Sequence, residues 1–306
     1  MRSFLRHLML VLLFASPALA QTGSILGVTL AGDDDMALSA ARVDRVRYLA
    51  QYAGTSANQR YYYGSRDITP DAMPFDYRFE AIGTVQRVQF TSDGLLVHGG
   101  LHYLLATTRS RFLSDHLPAD VAQRDLKNNL GGVGASLEYH TRDRASRRWS
   151  AEFLADATWY DRMLGGSTTF GKLEAGGAFY ARPTRRTMLG ARINARSAWG
   201  DVPFFDTPYL AMRGLQPRQF ANDVVVLMEV EGQRALARRW TAVAFGGVGR
   251  DAQSWGRIAS IATTTAGGVG FRYLVAEEAG LRSGIDVARA PDGSMALYLQ
   301  SGATWP

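Results

Sequence analysis

Hydrophobic and polar residues alternate with a period of two along most of this chain, in long runs broken by turn-forming residues. The cleanest run lies between Asp223 and Gln233. Val224, Val226, Met228 and Val230 fall on one side, and Asp223, Glu229, Glu231 and Gln233 on the other. Successive side chains of a strand point to opposite faces, so this run predicts a strand with one apolar and one charged face. The same pattern recurs upstream, where Val46, Tyr48, Ala50 and Tyr52 oppose Arg45, Arg47 and Gln51. Further on, Leu189, Ala191, Ile193 and Ala195 oppose Gly190, Arg192, Asn194 and Arg196. By parity an arginine placed at Val226 would meet the apolar surroundings, and one at Glu229 would be the milder change.

Read in order, the alternation predicts twelve strands, over residues 42–63, 76–90, 95–112, 130–141, 149–160, 168–180, 187–199, 223–236, 240–250, 263–275, 280–289 and 295–305. Between them lie short turns and longer polar loops in alternation, including residues 67–73 and 114–128. The longest loop, 200–219, holds Gly200, Pro203, Pro208 and Gly214 and cannot sit inside a ladder. Strands of soluble sandwiches average about 5–6 residues, whereas a membrane-spanning strand needs about 9–11. Lipid cannot satisfy backbone amides, so a sheet that crosses a bilayer must close on itself. The expected fold is therefore all-β, an antiparallel transmembrane β-barrel of about 12 strands, with 12–16 open. An even count puts both termini on the periplasmic side, and loop 200–219 then faces outward. Closure requires the last strand to pair with the first, around Val46 to Tyr52. Trp149, Tyr160, Trp199, Trp240, Tyr273 and Trp305 stand near strand ends, as interfacial girdles do.

The first residues add an address. Arg2, Arg6 and His7 precede an apolar run from Leu8 to Phe14, and Ala18-Leu19-Ala20 is a small-residue cleavage site. The expected division is a signal peptide at 1–20, an N-terminal arm or short strand at 21–40, and the barrel at 41–306. Asp33-Asp34-Asp35 within the arm reads as a solvated turn. The expected location is the bacterial outer membrane, after cleavage following Ala20. The chain holds no cysteine, which excludes a lipid-anchored lipoprotein, disulfides and thiolate metal sites. Its formal charge of +6 falls to +4 without Arg2 and Arg6. No lysine-rich tract or nucleic-acid motif accompanies that charge. The expected partners are outer-membrane lipid and lipopolysaccharide, with barrel assembly machinery during insertion.

Catalytic chemistry finds little support. His98 and His102 are four residues apart, a ligand spacing on a helix. On a strand they share a face but stand about 13 Å apart, too far for one metal. His116 falls in a polar loop. No metal, cofactor or catalytic residues are expected, and the chain reads as a non-enzyme. An outer-membrane lipase is a remote alternative, since no local motif completes a serine–histidine pair.

Several separated pieces resemble the bacterial surface antigen superfamily of outer-membrane barrels, the BamA/TamA-like type. Glu138-Tyr-His-Thr-Arg-Asp143 is similar to a strand end of that family, with His140 in place of an Asp. Pro203-Phe204, Pro208 and Met212-Arg213-Gly214 resemble its long sixth loop with an Arg-Gly tip. Phe245-Gly-Gly-Val-Gly249 resembles its Phe-x-Asp-x-Gly segment, with Gly247 where the Asp is expected. Gly268 to Tyr273 and Asp286-Val-Ala288 match its closing strands. The resemblance implies that the Arg213 loop folds into the lumen and that Arg213 and Gly214 meet the wall. Glu229, Glu231 and Asp286 are inward by parity and are the acids available to Arg213. Glu231 also matches the family's Glu, and Arg272 lies inward in the matched closing strands. The alternative is that Arg213 contacts solvent at a loop tip. Tyr298, Gln300, Gly302 and Trp305 resemble a C-terminal insertion signal, although the chain ends at Pro306. Periplasmic repeat domains of the family have no room before residue 41. The implied function is accessory membrane insertion, translocation or a structural role. The alternative is a passive pore for small anionic or amphiphilic solutes, indicated by inward Arg192, Arg196, Arg272 and Arg282.

Overall fold

The computed structural model describes residues 39–43, 46–63, 73–91, 97–113, 125–141, 148–276 and 281–301. The signal segment, Ser24 to Leu30, the Asp33 run, His116, Gly302 and Trp305 lie outside them. The described residues form one antiparallel meander of 13 strands, each paired with its neighbours in sequence. They are β1 (Ser39–Val43), β2 (Val46–Tyr63), β3 (Met73–Thr91), β4 (Val97–Phe112), β5 (Asp125–His140), β6 (Trp149–Tyr160) and β7 (Phe170–Thr184). There follow β8 (Thr187–Gly200), β9 (Val224–Ala235), β10 (Trp240–Ala252), β11 (Thr264–Ala276), β12 (Leu281–Arg289) and β13 (Met295–Ser301). Most exceed the mean strand of a soluble sheet, which is about 5–6 residues.

Three expectations need correction. A short first strand at Ser39–Val43 lies across the expected boundary between arm and barrel, and it brings the count among the described residues to 13, within the expected 12–16. That strand occupies the edge of β2, with Ser39 opposite Ala50 and Val43 opposite Val46. The last strand therefore does not pair with Val46 to Ala50, and among the described residues β1 and β13 are not joined, so the sheet is not closed. Third, β5 begins at Asp125, not at 130. Lys127 and Asn129 are exposed there, and a polar outer face on a strand looks like a loop in sequence.

One face of the sheet is apolar and exposed along its whole breadth. Leu101, Val133, Leu137, Phe153, Ile193, Met228, Val230, Val269 and Leu297 all stand on it, each at least 40 % accessible. Trp149 and Trp159 share this face on β6, separated by about 33 Å along the strand at about 3.3 Å per residue. With a strand tilt of about 40° that separation becomes a band about 25 Å tall, the height of an outer-membrane barrel's apolar belt. Trp159, Gly171 and Trp199 form one row across β6, β7 and β8, and Trp149, Ala181 and Leu189 form another.

The opposite face carries the core. At one end of the strands, Tyr77, Phe79, Phe112, Leu130, Tyr160 and Phe170 gather around Phe205 from the β8–β9 connection. Farther across, Val225 and Leu227 of β9 pack with Leu210, Met212 and Leu215 of the same connection. This single segment thus touches β3 through Phe204, with Tyr77 and Phe204 rings 5.2 Å apart. It also touches β13 through Gly214, whose N–H donates to the Tyr298 hydroxyl at 2.9 Å. On a flat sheet β3 and β13 would be about 48 Å apart, at about 4.8 Å per strand. Phe204 to Gly214, even fully extended, reaches only about 35 Å, and a 3-10 turn at Phe204–Asp206 shortens it. The wall must therefore curl around the segment.

Candidate functional site

The β8–β9 connection is the only place among the described residues where many charged groups are buried together with a loop. It enters through Asp201 and the 3-10 turn Phe204–Asp206. Lys172 of β7 donates to Asp206 Oδ1 at 2.6 Å. Arg218, on the returning limb, donates to the carbonyl oxygens of Phe204 and Phe205 and lies 5.1 Å from the Tyr209 ring centroid. Leu210 N–H donates to Phe220 O at 2.9 Å and Asn222 N–H to Pro208 O at 3.0 Å. The two limbs are thus bonded as a strap, with Met212 to Leu215 as its tip. Gly214 takes φ 102° there, a conformation that other residues adopt only with strain.

The tip places Arg213 in a ring of acids from the wall. Its Nη1 lies 2.7 Å from Glu231 Oε2 and 3.3 Å from Asp286 Oδ2, and its Nε lies 3.8 Å from Glu229 Oε1. Its guanidinium carbon is 3.7 Å from the Phe245 ring centroid, a cation–π stack. Arg272 meets Asp286 through two bonds, at 2.5 and 2.8 Å. Arg192 pairs with Glu229, its Nε donating to Oε2 at 2.5 Å, and also donates to Ala211 O at 2.9 Å. Three arginines (192, 213, 272) face three carboxylates (229, 231, 286), so this buried set has a net charge of zero by simple subtraction. Removing one member would leave an unpaired buried charge, at about 3–5 kcal/mol.

All six residues expected at the loop–lumen contact, Arg213, Gly214, Glu229, Glu231, Arg272 and Asp286, come together at this tip. Gly247, where the resembled segment has an Asp, faces the strap tip. A Cβ at Gly247 would stand 2.5 Å from Met212 Sδ and 2.6 Å from Glu229 Cγ. The tip occupies that space, and acids from β9 and β12 supply the charge instead. Tyr298 belongs to the same site through its bond to Gly214. Gln300 is buried beside it on β13, its carbonyl accepting from Ser283 at 3.1 Å.

The aromatic cluster at Phe204 and Phe205 was not anticipated. Its signal was present, since Tyr77 and Phe79 are apolar at inward positions of β3, where a water-filled lumen would take polar ones. The inward arginines are engaged: Arg196 pairs with Glu174 at 2.9 Å and Arg282 donates to Thr241 at 2.7 Å. The histidines separate as their strand spacing requires. His98 stacks on His140, with ring centroids 4.9 Å apart. His102 Nε2 lies 2.9 Å from Thr158 Oγ1 and its Nδ1 lies 3.6 Å from Asp156. Among the described residues no group of three or more His, Cys, Asp or Glu is arranged to hold a metal.

Comparison with known proteins finds no matching family model and no matching curated protein. Solved structures do match. BamA from Haemophilus ducreyi, in a form lacking POTRA domains 1–3, aligns with TM-score 0.55 at 7 % identity, over 85 % of this chain and 62 % of that one. CdiB from Acinetobacter baumannii aligns with TM-score 0.56 at 11 % identity, over 86 % and 48 %. CdiB from Escherichia coli gives TM-score 0.53 at 11 % identity, over 84 % and 49 %. The chain spans about half to three-fifths of the length of these structures. At such identities the likeness concerns the fold alone: an all-β antiparallel sheet resembling the outer-membrane barrels.

Proposed function

We propose that this protein is an outer-membrane β-barrel of the surface-antigen type whose lumen is held shut by an internal strap, and that it serves accessory membrane insertion or translocation rather than bond chemistry. The observation that carries this is the ion cluster at Arg213, which ties the strap to β9, β12 and, through Tyr298, β13. A strap pinned at its tip and sealed by aromatics at its base blocks free passage. It leaves the apolar outer wall and the sheet edges as the working surfaces. The long connections, including the strap, face outward and the short turns face the periplasm, as in bacterial barrels. Tyr298 and Gln300 act within the terminal insertion signal.

The experiment uses purified protein in liposomes. The expected result is that it accelerates folding of a reporter barrel protein over empty liposomes, and that R213A loses this gain. Planar bilayers containing the wild type should stay electrically silent. Steady anion-selective conductance by the wild type would replace this reading with the pore. Neither conductance nor acceleration would leave a purely structural barrel.

A further inference from the structure

The outer wall changes character across β3, β4 and β5. The row Ile82, Thr107 and Asn129 marks the change. On its short-turn side the outward residues include Leu101, Leu105, Val133 and Leu137, all exposed. On its loop side stand two rows of three, Glu80–Arg109–Lys127 and Arg78–Arg111–Asp125. Four cations face two carboxylates, a surplus of 4 − 2 = +2. Both carboxylates are already engaged. Glu80 meets Arg78 at 3.0 Å, and Asp125 takes two bonds from Arg109 Nε at 2.8 and 3.0 Å. Arg111 comes no nearer to Asp125 than 4.0 Å, and its side chain is 51 % accessible; Lys127 is also exposed.

A second feature adjoins these rows. The 3-10 turn Arg162–Leu164 after β6 folds back over the same wall instead of standing away from it. Tyr103 Oη donates to Leu164 O at 3.1 Å, Asp161 N–H to Gly131 O at 3.0 Å, and Ser167 N–H to Asn129 O at 2.7 Å. The turn lies so close that a Cβ at Gly131 would stand 2.0 Å from Leu164 O. Held this way, Met163 is 95 % accessible, with exposed Arg162 beside it. A fixed turn thus presents a methionine and a further cation where the apolar wall ends.

We propose that this rim is a binding site for a phosphate-bearing glycolipid of the outer leaflet. The phosphates meet Arg111, Lys127 and Arg162, and the acyl chains lie along Leu105, Val133 and Met163. Charge complementarity selects this occupant: guanidinium groups match phosphate geometry, and cations beside an apolar face are the composition of an anionic lipid interface. The proposal rests on the outer-membrane reading above, with the long connections outward.

The test uses protein refolded in glycolipid-free detergent and titrated, by native mass spectrometry, with three probes: bisphosphorylated lipid A, dephosphorylated lipid A and phosphatidylglycerol. Wild type is expected to prefer bisphosphorylated lipid A. R111Q/K127Q should weaken that binding about 25-fold, from about fivefold per cation near an anionic surface, and raised salt should weaken it for wild type too. R185Q/R186Q removes the same charge at the β7–β8 turn and should leave binding unchanged. Heat-modifiable migration confirms that each variant is folded. Equal binding of all three probes, or equal loss in both double variants, overturns the proposal. Fractionation of the wild-type protein is read separately: recovery outside the outer membrane would sink the location while leaving the binding result to stand or fall by itself.

Discussion

The backbone N–H of Gly214 donates to the hydroxyl of Tyr298 at 2.9 Å across 84 residues of chain. It joins the tip of the internal strap to the last described strand. Y298F keeps the ring and removes this acceptor. It should lower stability by about 0.5–1.5 kcal/mol, seen as a lower urea midpoint for the heat-modifiable form. An unchanged midpoint would mean that the tip is held without β13.

Arg213 should be far more sensitive. R213A leaves Glu231 and Asp286 short of a buried cation, and a loss of about 3–5 kcal/mol is expected. R213K should recover only part of it, because an ammonium cannot reach several carboxylates and stack flat on Phe245 as a guanidinium does. Full recovery by lysine would reduce the site to simple charge neutralisation.

On β9, parity alone makes an inward arginine milder than an outward one, but the ion cluster reverses that order. Met228 is 46 % accessible on the outer face and Glu229 is 1 % accessible inside the cluster. M228R should cost about 2–4 kcal/mol if it lies near the midplane of the membrane. E229R adds a fourth arginine where three already sit and removes one of their three partners, so it should be the worse variant. Refolding yield in detergent checks the order, and the opposite ranking would refute the cluster.

At Gly247 an aspartate would restore the pattern of the resembled family. Here G247D should displace Met212 and hurt stability, because even its Cβ overlaps Met212 Sδ at 2.5 Å. Protease cleavage within residues 210–216 should appear in G247D and not in wild type. An intact, more stable G247D would show that the strap can yield.

The aromatic cluster makes a separate prediction about permeation. F205A empties the centre of a cluster that buries Tyr77 and Phe170 completely. A loss of about 3–5 kcal/mol is expected, and F204A/F205A should give conductance in planar bilayers where wild type gives none. Silence in the double variant would place the block at the tip instead.

Much of the fold was legible because a strand's period of two survives burial on one side only. Val226 and Met228 against Glu229 and Glu231 identify two faces without any structure. The N-terminal edge was not legible: Ser39–Val43 is too short and mixed for alternation to separate it from β2. Asp125 and Lys127 read as loop because their outward face is polar. The acids around Arg213 could be found by parity. Their convergence could not, since Glu231 and Asp286 become neighbours only through the register of β9 to β12. Parity also hid Val225 and Leu227, apolar residues on the charged face of β9, which make sense only once a strap lies against them.

The ion cluster also sets a schedule. Its members run from Arg192 to Asp286, and the tip's last bond goes to Tyr298. Contacts so distant in sequence form late, because a long stretch of chain must be closed before they return any stabilisation. The strap can therefore lock only when β12 and β13 are already in place. An unfinished barrel leaves Arg213 with its β9 acids alone, without Asp286 or the Tyr298 bond at the tip, and remains open to rearrangement. Locking marks the completed molecule, and afterwards it slows departure from the native state rather than speeding arrival there.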